Sequence, residues 1–128
     1  MTADDTLARI IYRVEHAASG VGPYNVEDVD DDRLWDMVCA HSDPCHPAPQ
    51  SDGRFPHLEL AVCHRFGFDT RHDLALWFHG WLDTLDELGF VLAVYRAPSE
   101  AVLVGDVQVA FDIERAERVG TEALVAAP

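Results

Sequence analysis

Residues 70–88 (TRHDLALWFHGWLDTLDEL) are the stretch that most constrains how this chain can fold. Apolar residues recur there at steps of three and four, which places them on one face of an α-helix: Leu74, Trp77, Phe78, Trp81, Leu82, Leu85 and Leu88. Thr70 and Asp73 have the spacing of a capping box, and Gly89 is suited to end a helix. We therefore predict one helix over about 70–88, whose aromatic face packs into a core rather than forming a ligand or partner groove.

Alternating apolar residues predict strands on both sides of this helix. The first strand covers residues 7–16, where Ile11 makes the second face partly apolar and indicates a central strand. Arg13 on that half-buried face requires an acceptor or an anionic ligand, and a salt bridge to an acid near Glu15 or on an adjacent strand would supply one. Later strands are predicted at 90–95, 101–104 and 107–113, the last two joined by a tight turn at Gly105 and Asp106.

The remaining segments complete a single α+β domain over residues 1–128. We predict a glycine-rich loop at 19–24, a second helix at 27–41, and an irregular segment at 42–56 that contains four prolines. Residues 57–66 fit a strand or a short helix, and we favour the helix. The chain after Arg115 is weakly patterned, and we expect it to be mobile beyond about residue 118. The predicted architecture is a mostly antiparallel sheet of about four strands with helices packed on one face.

The charge balance restricts the classes of partner. The chain has 23 acidic and nine basic residues, all nine of them arginine, for a formal net charge of −14. This excess disfavours a nucleic-acid backbone or an anionic lipid surface. It favours a protein with a basic surface, or a nucleic-acid-binding site occupied by imitation, although solubility alone also explains acidity. The densest patch is the predicted partner-binding surface: Glu27, Asp28, Asp30, Asp31 and Asp32.

The sequence indicates a cytoplasmic protein. No stretch reaches the roughly 18 apolar residues of a membrane span, and no secretion signal begins the chain. Three cysteines do not make a disulfide framework, so reduced thiols are the simpler interpretation. We expect no membrane association, and a homodimer is compatible with the sequence.

Cysteine and histidine residues concentrate in one region and constitute a zinc hypothesis. The candidate ligands are Cys39, His41, Cys45, His46, His57, Cys63 and His64. The sequence lacks the C-x2-C and H-x3-H pairs usual in structural zinc sites, and Cys39 and His41, two positions apart on a helix, would diverge. Buried thiols and solvated imidazoles explain the same residues.

Acid–base chemistry has one candidate pair. His46 is a possible general base, with Asp52 close in sequence as its orienting group. The sequence contains no Ser-His-Asp order, nucleophile elbow or phosphate-binding P-loop.

The opening of the chain resembles a family of small uncharacterised phage and prophage proteins. The resemblance rests on IYRVEH at 11–16 followed by GVGPY at 20–24, and continues at HPAP (46–49), FGF (66–68), WF (77–78), GF (89–90) and QVAFD (108–112). It covers most of the chain and implies no established activity. For a phage-encoded protein, the expected location is the host cytoplasm.

A more distant resemblance is to ADP-ribosyltransferase-like folds, which carry an Arg or His on the first strand and a Glu late in the sheet. Arg13 matches the first position. Gln108 or Ala110 occupies the glutamate position, so the carboxylate that stabilises a developing oxocarbenium ion is missing. The resemblance implies NAD as cofactor and a pocket around Arg13, Tyr24, His46 and Gln108. The catalytic candidates are Arg13, His46 and Gln108, and Asp52, from the acid–base pair, is added to the ligand-binding candidates.

Three functional hypotheses follow from the sequence. The leading one is a non-enzymatic phage-type accessory protein that binds or inhibits a basic protein through its acidic surface. The alternatives are a divergent NAD-using domain and a zinc-stabilised interaction module.

Overall fold

The computed structural model describes residues 8–24, 31–41 and 64–125. The elements in chain order are β1 (Ala8–His16), α1 (Asp32–Ala40), β2 (His64–Gly67), α2 (Arg71–Trp77), α3 (Leu82–Glu87), β3 (Phe90–Pro98), a 3-10 turn (Ser99–Ala101), β4 (Val102–Val104), β5 (Val109–Asp112) and β6 (Glu117–Glu122). The strands form two antiparallel three-stranded sheets, the first in the order β1-β3-β6 and the second in the order β2-β5-β4. The α+β class with antiparallel strands is therefore confirmed, and two small sheets replace the expected sheet of about four strands.

The first sheet lies between the helices and the second sheet. Alternate residues of β1 point to opposite faces, so Val14 packs with the helices while Ile11 packs with the second sheet. The helix side contains Leu34 and Met37 of α1, Leu74 of α2 and Leu85 of α3, whereas the other side contains Val109 and Phe111 of β5. The helices thus pack on one face of the sheet, as predicted.

The position of β1 differs from the prediction. β3, not β1, is the central strand of the first sheet, and β1 pairs with it along its whole length, from Ala8↔Pro98 to His16↔Phe90. On its other side β1 makes one isolated bridge, between Tyr12 and Phe68, which joins the two sheets. The apolar second face of β1 reflects burial beneath the second sheet rather than a central strand position.

Residues 70–88 form two short helices, α2 and α3, instead of the one predicted helix. The chain turns at Gly80, whose φ of +86° a glycine adopts without steric cost. The predicted boundaries hold: the Thr70 hydroxyl accepts a hydrogen bond from the backbone N–H of Asp73, and Gly89 has a φ of +93°. The apolar face is core, as predicted, because its seven residues are buried in or packed against the helix-side cluster.

Two predicted helical segments are corrected. The helix placed at 27–41 begins at Asp32, because Asp31 is extended and its carboxylate caps the helix through the backbone N–H of Arg33. The helix favoured over 57–66 is wrong at its end, since His64–Gly67 is a strand paired with β5. A Cβ on Gly67 would lie 2.7 Å from the Tyr12 carbonyl oxygen, so glycine permits the close approach of β1 to this segment. Residues 42–56 lie outside the described residues.

The C-terminal strands also differ in detail. β4 and β5 form the predicted hairpin, but their connection spans residues 105–108 and is closed by a 2.9 Å hydrogen bond from Gly105 N–H to the Gln108 carbonyl. β6 lies in the weakly patterned tail and pairs with β3, so this strand was missed by the sequence pattern. No helix within residues 8–24, 31–41 and 64–125 is long and apolar enough to cross a membrane.

Candidate functional site

Two polar clusters stand out in the described structure. The first, called here the Glu15 cluster, consists of Arg13, Glu15, Tyr95 and Arg118. Arg13 and Glu15 are two positions apart on β1 and therefore share the face that points to the second sheet. β3 places Tyr95 opposite Ile11, and β6 places Arg118 opposite Tyr95. The sheet register thus brings one carboxylate and its three partners together.

Glu15 is the centre of this cluster and is almost completely buried, at 1% exposure. Its Oε1 accepts a hydrogen bond from the Tyr95 hydroxyl at 2.7 Å and lies 3.3 Å from Nε of Arg13. Its Oε2 lies 3.1 Å from the guanidinium of Arg118. Both carboxylate oxygens are therefore satisfied inside the protein.

Arg13 is buried as well, and its requirement for an acceptor is met within the cluster. Besides the Glu15 contact, its guanidinium donates to the Phe66 carbonyl at 2.9 Å. A Cβ on Gly22 would lie 3.1 Å from the same guanidinium, so the glycine-rich loop packs directly on it. Arg13 thus forms a salt bridge, but its acid is Glu15 itself and not a neighbour of Glu15 or an acid on an adjacent strand.

Burial shifts the pKa of two members of the cluster, Arg13 and Tyr95. Desolvation lowers the pKa of Arg13, although the Glu15 charge opposes this shift. Desolvation, followed by the hydrogen bond to Glu15, raises the pKa of Tyr95 to about 12. At neutral pH the cluster therefore contains a neutral phenol and a buried ion pair. This arrangement links the three strands of the first sheet, and each member of the cluster is engaged in it.

The second cluster consists of Tyr24, His41 and Trp77, and we call it the Tyr24 cluster. Tyr24 lies at the end of the glycine-rich loop, His41 follows α1 as its C-cap, and Trp77 is the last residue of α2. The Tyr24 oxygen accepts a hydrogen bond from Trp77 Nε1 at 2.6 Å and lies 2.5 Å from His41 Nδ1. Because an indole N–H only donates, the hydroxyl proton of Tyr24 remains available to His41.

The surroundings of the Tyr24 cluster are aromatic. His41 is buried, with ring contacts to Phe78 at 5.9 Å and to Trp81 at 6.4 Å between centroids, whereas the Tyr24 ring is 43% exposed. A tyrosine hydroxyl that shares a proton with a buried imidazole can relay a proton to the surface. The same contacts also fasten the loop after β1 to α1 and α2, which is a sufficient structural role.

The predicted ligand residues are divided between these clusters and the undescribed segments. Arg13 belongs to the Glu15 cluster and Tyr24 to the Tyr24 cluster. Gln108 is buried immediately before β5, where its backbone carbonyl closes the hairpin. His46 and Asp52 lie outside the described residues. The pocket implied by the ADP-ribosyltransferase resemblance stays a prediction.

The zinc candidates are also divided. Cys39 is exposed and His41 is buried, so the two side chains diverge from α1 as predicted. His64 begins β2, and Cys45, His46, His57 and Cys63 lie outside the described residues. Within the described ranges, no three Cys, His, Asp or Glu side chains are grouped so that they could hold a metal ion.

The acidic patch is described only at its end. Glu27, Asp28 and Asp30 lie outside the described residues. Asp31 caps α1 and binds Arg33, and this hydrogen bond lowers the pKa of the Asp31 carboxyl. Arg33 also reaches Glu87 of α3 at 2.8 Å. Asp32 is exposed.

Sequence reasoning missed three members of the Glu15 cluster. Arg13 and Glu15 are two positions apart on a strand with two apolar faces, and this spacing was a usable signal. It places two opposite charges next to each other on one buried face of the strand. Tyr95 and Arg118 gave no local signal, since only the pairing of distant strands brings them to Glu15.

Comparison with known proteins gives one family. No curated protein and no solved structure shows significant similarity to the chain. The family described as Bacteriophage T4 Y00F protein matches residues 1–125, which confirms the resemblance to a phage protein family. Because this match spans nearly the whole chain, the protein belongs to the Bacteriophage T4 Y00F protein family.

Proposed function

We propose that this phage-family protein is an accessory protein that binds, and by binding inhibits or redirects, a host or phage protein with a basic surface. The single observation that supports the proposal is the way in which its few cations are used. Six arginines of the described structure bind carboxylates of the same chain: Arg9 with Asp69, Arg13 and Arg118 with Glu15, Arg33 with Asp31 and Glu87, Arg71 with Glu122, and Arg115 with Glu100.

Many carboxylates remain on the surface without such a cation. Those that are exposed and form no ion pair with another described residue are Asp32, Asp36, Asp73, Asp83, Asp86, Glu114 and Glu117. They lie on all three helices and around β6. With a formal net charge of −14, the surface therefore has a negative potential that attracts cationic proteins and accelerates their association.

The buried polar groups of the described structure are engaged in the fold. The Glu15 cluster and the Tyr24 cluster both join distant segments of the chain, and no buried side-chain nitrogen or oxygen of the described residues lacks a hydrogen-bond partner. These features support a surface-binding role. The NAD and zinc alternatives gain no supporting contact from the described residues and remain as separate hypotheses.

Affinity capture with controlled salt tests the proposal. Immobilised protein is incubated with host lysate at low ionic strength, retained proteins are eluted with a salt gradient, and the Kd of the main partner is measured at several salt concentrations. We expect partners of basic isoelectric point whose affinity falls by about tenfold or more between roughly 0.05 and 0.5 M salt, since exposed charges are screened there.

A matched pair of variants separates charge from general surface change. Asp83→Asn with Asp86→Asn removes two exposed charges, whereas Ala75→Asn with Thr121→Gln alters two exposed uncharged positions. The first pair should weaken binding by up to about threefold through the loss of surface charge, and the second pair should leave binding unchanged. Partners that are neutral or acidic, or an affinity that salt leaves unchanged, would contradict the proposal.

A further inference from the structure

The outward face of α1 carries an exposed tryptophan between carboxylates. Leu34 and Met37 of this helix are buried and His41 follows on the same side. The opposite side presents residues at steps of three and four, which form one continuous stripe on a helix: Asp32, Trp35, Asp36 and Cys39. We call this stripe the Trp35 face.

Trp35 is the largest side chain on this face and is 49% exposed. Among the described residues no aromatic ring or guanidinium stacks on it, whereas Trp77 and Trp81 both make ring contacts within the helix-side core. A half-exposed indole has a large apolar surface that water solvates poorly, and tryptophan is enriched among residues that dominate protein interfaces. Within the described part of the chain, Trp35 belongs to neither core cluster, whereas Trp77 and Trp81 belong to or pack against the helix-side cluster.

The charges around Trp35 indicate what covers it. Asp32 and Asp36 flank the indole on the stripe, and neither forms an ion pair with a described residue. The nearest arginine in sequence, Arg33, is held by Asp31 at 3.1 Å and by Glu87 at 2.8 Å. Among the described residues, no arginine stacks on Trp35 or pairs with the two carboxylates, so this face matches a cationic partner in both charge and chemistry.

We infer that the Trp35 face is the docking surface for an arginine-bearing segment of a partner protein. A guanidinium stacks on an indole and at the same time donates paired hydrogen bonds to a carboxylate, whereas a lysine ammonium offers a compact charge without the planar fork. The combination of Trp35 with Asp32 and Asp36 matches the guanidinium better than the ammonium. This inference rests on the proposed function, because it assigns one site and one residue type to the acidic surface.

Two labelled peptides test the inference. One carries four arginines in a glycine–serine background and the other carries four lysines at the same positions. Their binding is measured by fluorescence anisotropy at low salt, and the Trp35 indole N–H is followed by NMR. We expect the arginine peptide to bind about fivefold more tightly than the lysine peptide and to shift the Trp35 signal.

Three variants locate the contact. The single variant Trp35→Ala should lower the affinity for the arginine peptide by about tenfold, and so should the double variant Asp32→Asn with Asp36→Asn. Asp83→Asn with Asp86→Asn removes the same charge from α3 and should change the affinity by less than about threefold. Leu76→Ala, at a residue 59% exposed on α2, is the control for loss of an exposed apolar side chain and should have no effect.

The outcomes separate this inference from the proposed function. If both pairs of aspartate substitutions weaken peptide binding equally and Trp35→Ala has no effect, the Trp35 face is not the docking surface. That result would still agree with binding through the acidic surface as a whole. Equal affinity for the two peptides would overturn the assignment to arginine. If neither the variants nor the salt concentration changes peptide binding, both proposals are overturned.

Discussion

The Glu15→Gln substitution tests whether the Glu15 cluster stabilises the fold as its geometry indicates. Glutamine keeps the shape of the side chain and removes the charge. The Arg13 side chain, 8% exposed, is then left as a buried cation without a counter-ion, and breaking such a pair costs about 3–5 kcal/mol. Arg118 is 48% exposed and regains water, so its share is about 0–1 kcal/mol.

The expected loss is therefore about 3–5 kcal/mol, a large part of the ~5–15 kcal/mol that stabilises an ordinary domain. Urea unfolding, followed by tryptophan fluorescence and circular dichroism, should show a midpoint lower by about 2 M for a typical slope. Glu122→Gln is the control, because it breaks the Arg71–Glu122 pair at the surface, where the loss is about 0–1 kcal/mol.

A second substitution checks the cause. Arg13→Met added to Glu15→Gln removes the unpaired cation and should recover part of the lost stability, since an apolar side chain of similar length needs no counter-ion. Surface substitutions usually change stability by no more than about 0.5 kcal/mol. If the loss of unfolding free energy in Glu15→Gln lies within that range of the loss in Glu122→Gln, the reasoning from buried charge is refuted. It is also refuted if adding Arg13→Met lowers stability further.

Two further predictions concern alkaline stability and the helix break. The pKa of Tyr95 is raised from 10.0 to about 12, so the neutral phenol is favoured in the folded state. The neutral phenol contributes its full stabilisation below about pH 10, and this contribution is lost as the pH rises towards about 12. The urea midpoint of the natural protein should therefore fall across this pH window, and the midpoint of Tyr95→Phe should fall less. Equal falls in the two proteins would contradict the assignment. Gly80→Ala should lower the free energy of unfolding by about 1–2 kcal/mol, because alanine is strained at a positive φ. If residues 70–88 formed one continuous helix, the same substitution would instead raise the free energy of unfolding by about 0.5–1 kcal/mol. Thermal unfolding gives the sign, with Gly120→Ala as the control, since Gly120 lies in β6 with ordinary φ and open space around it.

The sequence predicted most elements whose signal is local. The apolar residues of 70–88, the Thr70 cap, the Gly89 end and strands β1 and β3 follow from periodicity and end chemistry, and the structure confirms them. The break at Gly80 was missed because the same apolar spacing continues across it. The spacing of apolar residues does not show that a single residue adopts a left-handed backbone conformation.

The remaining errors arise from long-range pairing. β6 has six exposed residues, so it lacks the alternation of buried and exposed positions on which strand prediction depends. His64–Gly67 is short and paired by β5, a strand far along the chain, which no local pattern encodes. The candidate clusters follow the same rule: Arg13 was identified from one strand, but Tyr95 and Arg118 required the sheet register.

The pairing of β1 with β3 has a consequence for how fast the chain folds. The residue pairs in this ladder lie between 74 positions (His16 with Phe90) and 90 positions (Ala8 with Pro98) apart, and the contact from Arg118 of β6 to Glu15 spans 103 positions. Ladders of this kind form only after the intervening chain has closed a large loop, and the entropy of that closure precedes any gain from the contacts. Folding is therefore expected on the millisecond-to-second scale of non-local β-proteins. During synthesis, β1 stays unpaired until β3 has left the ribosome.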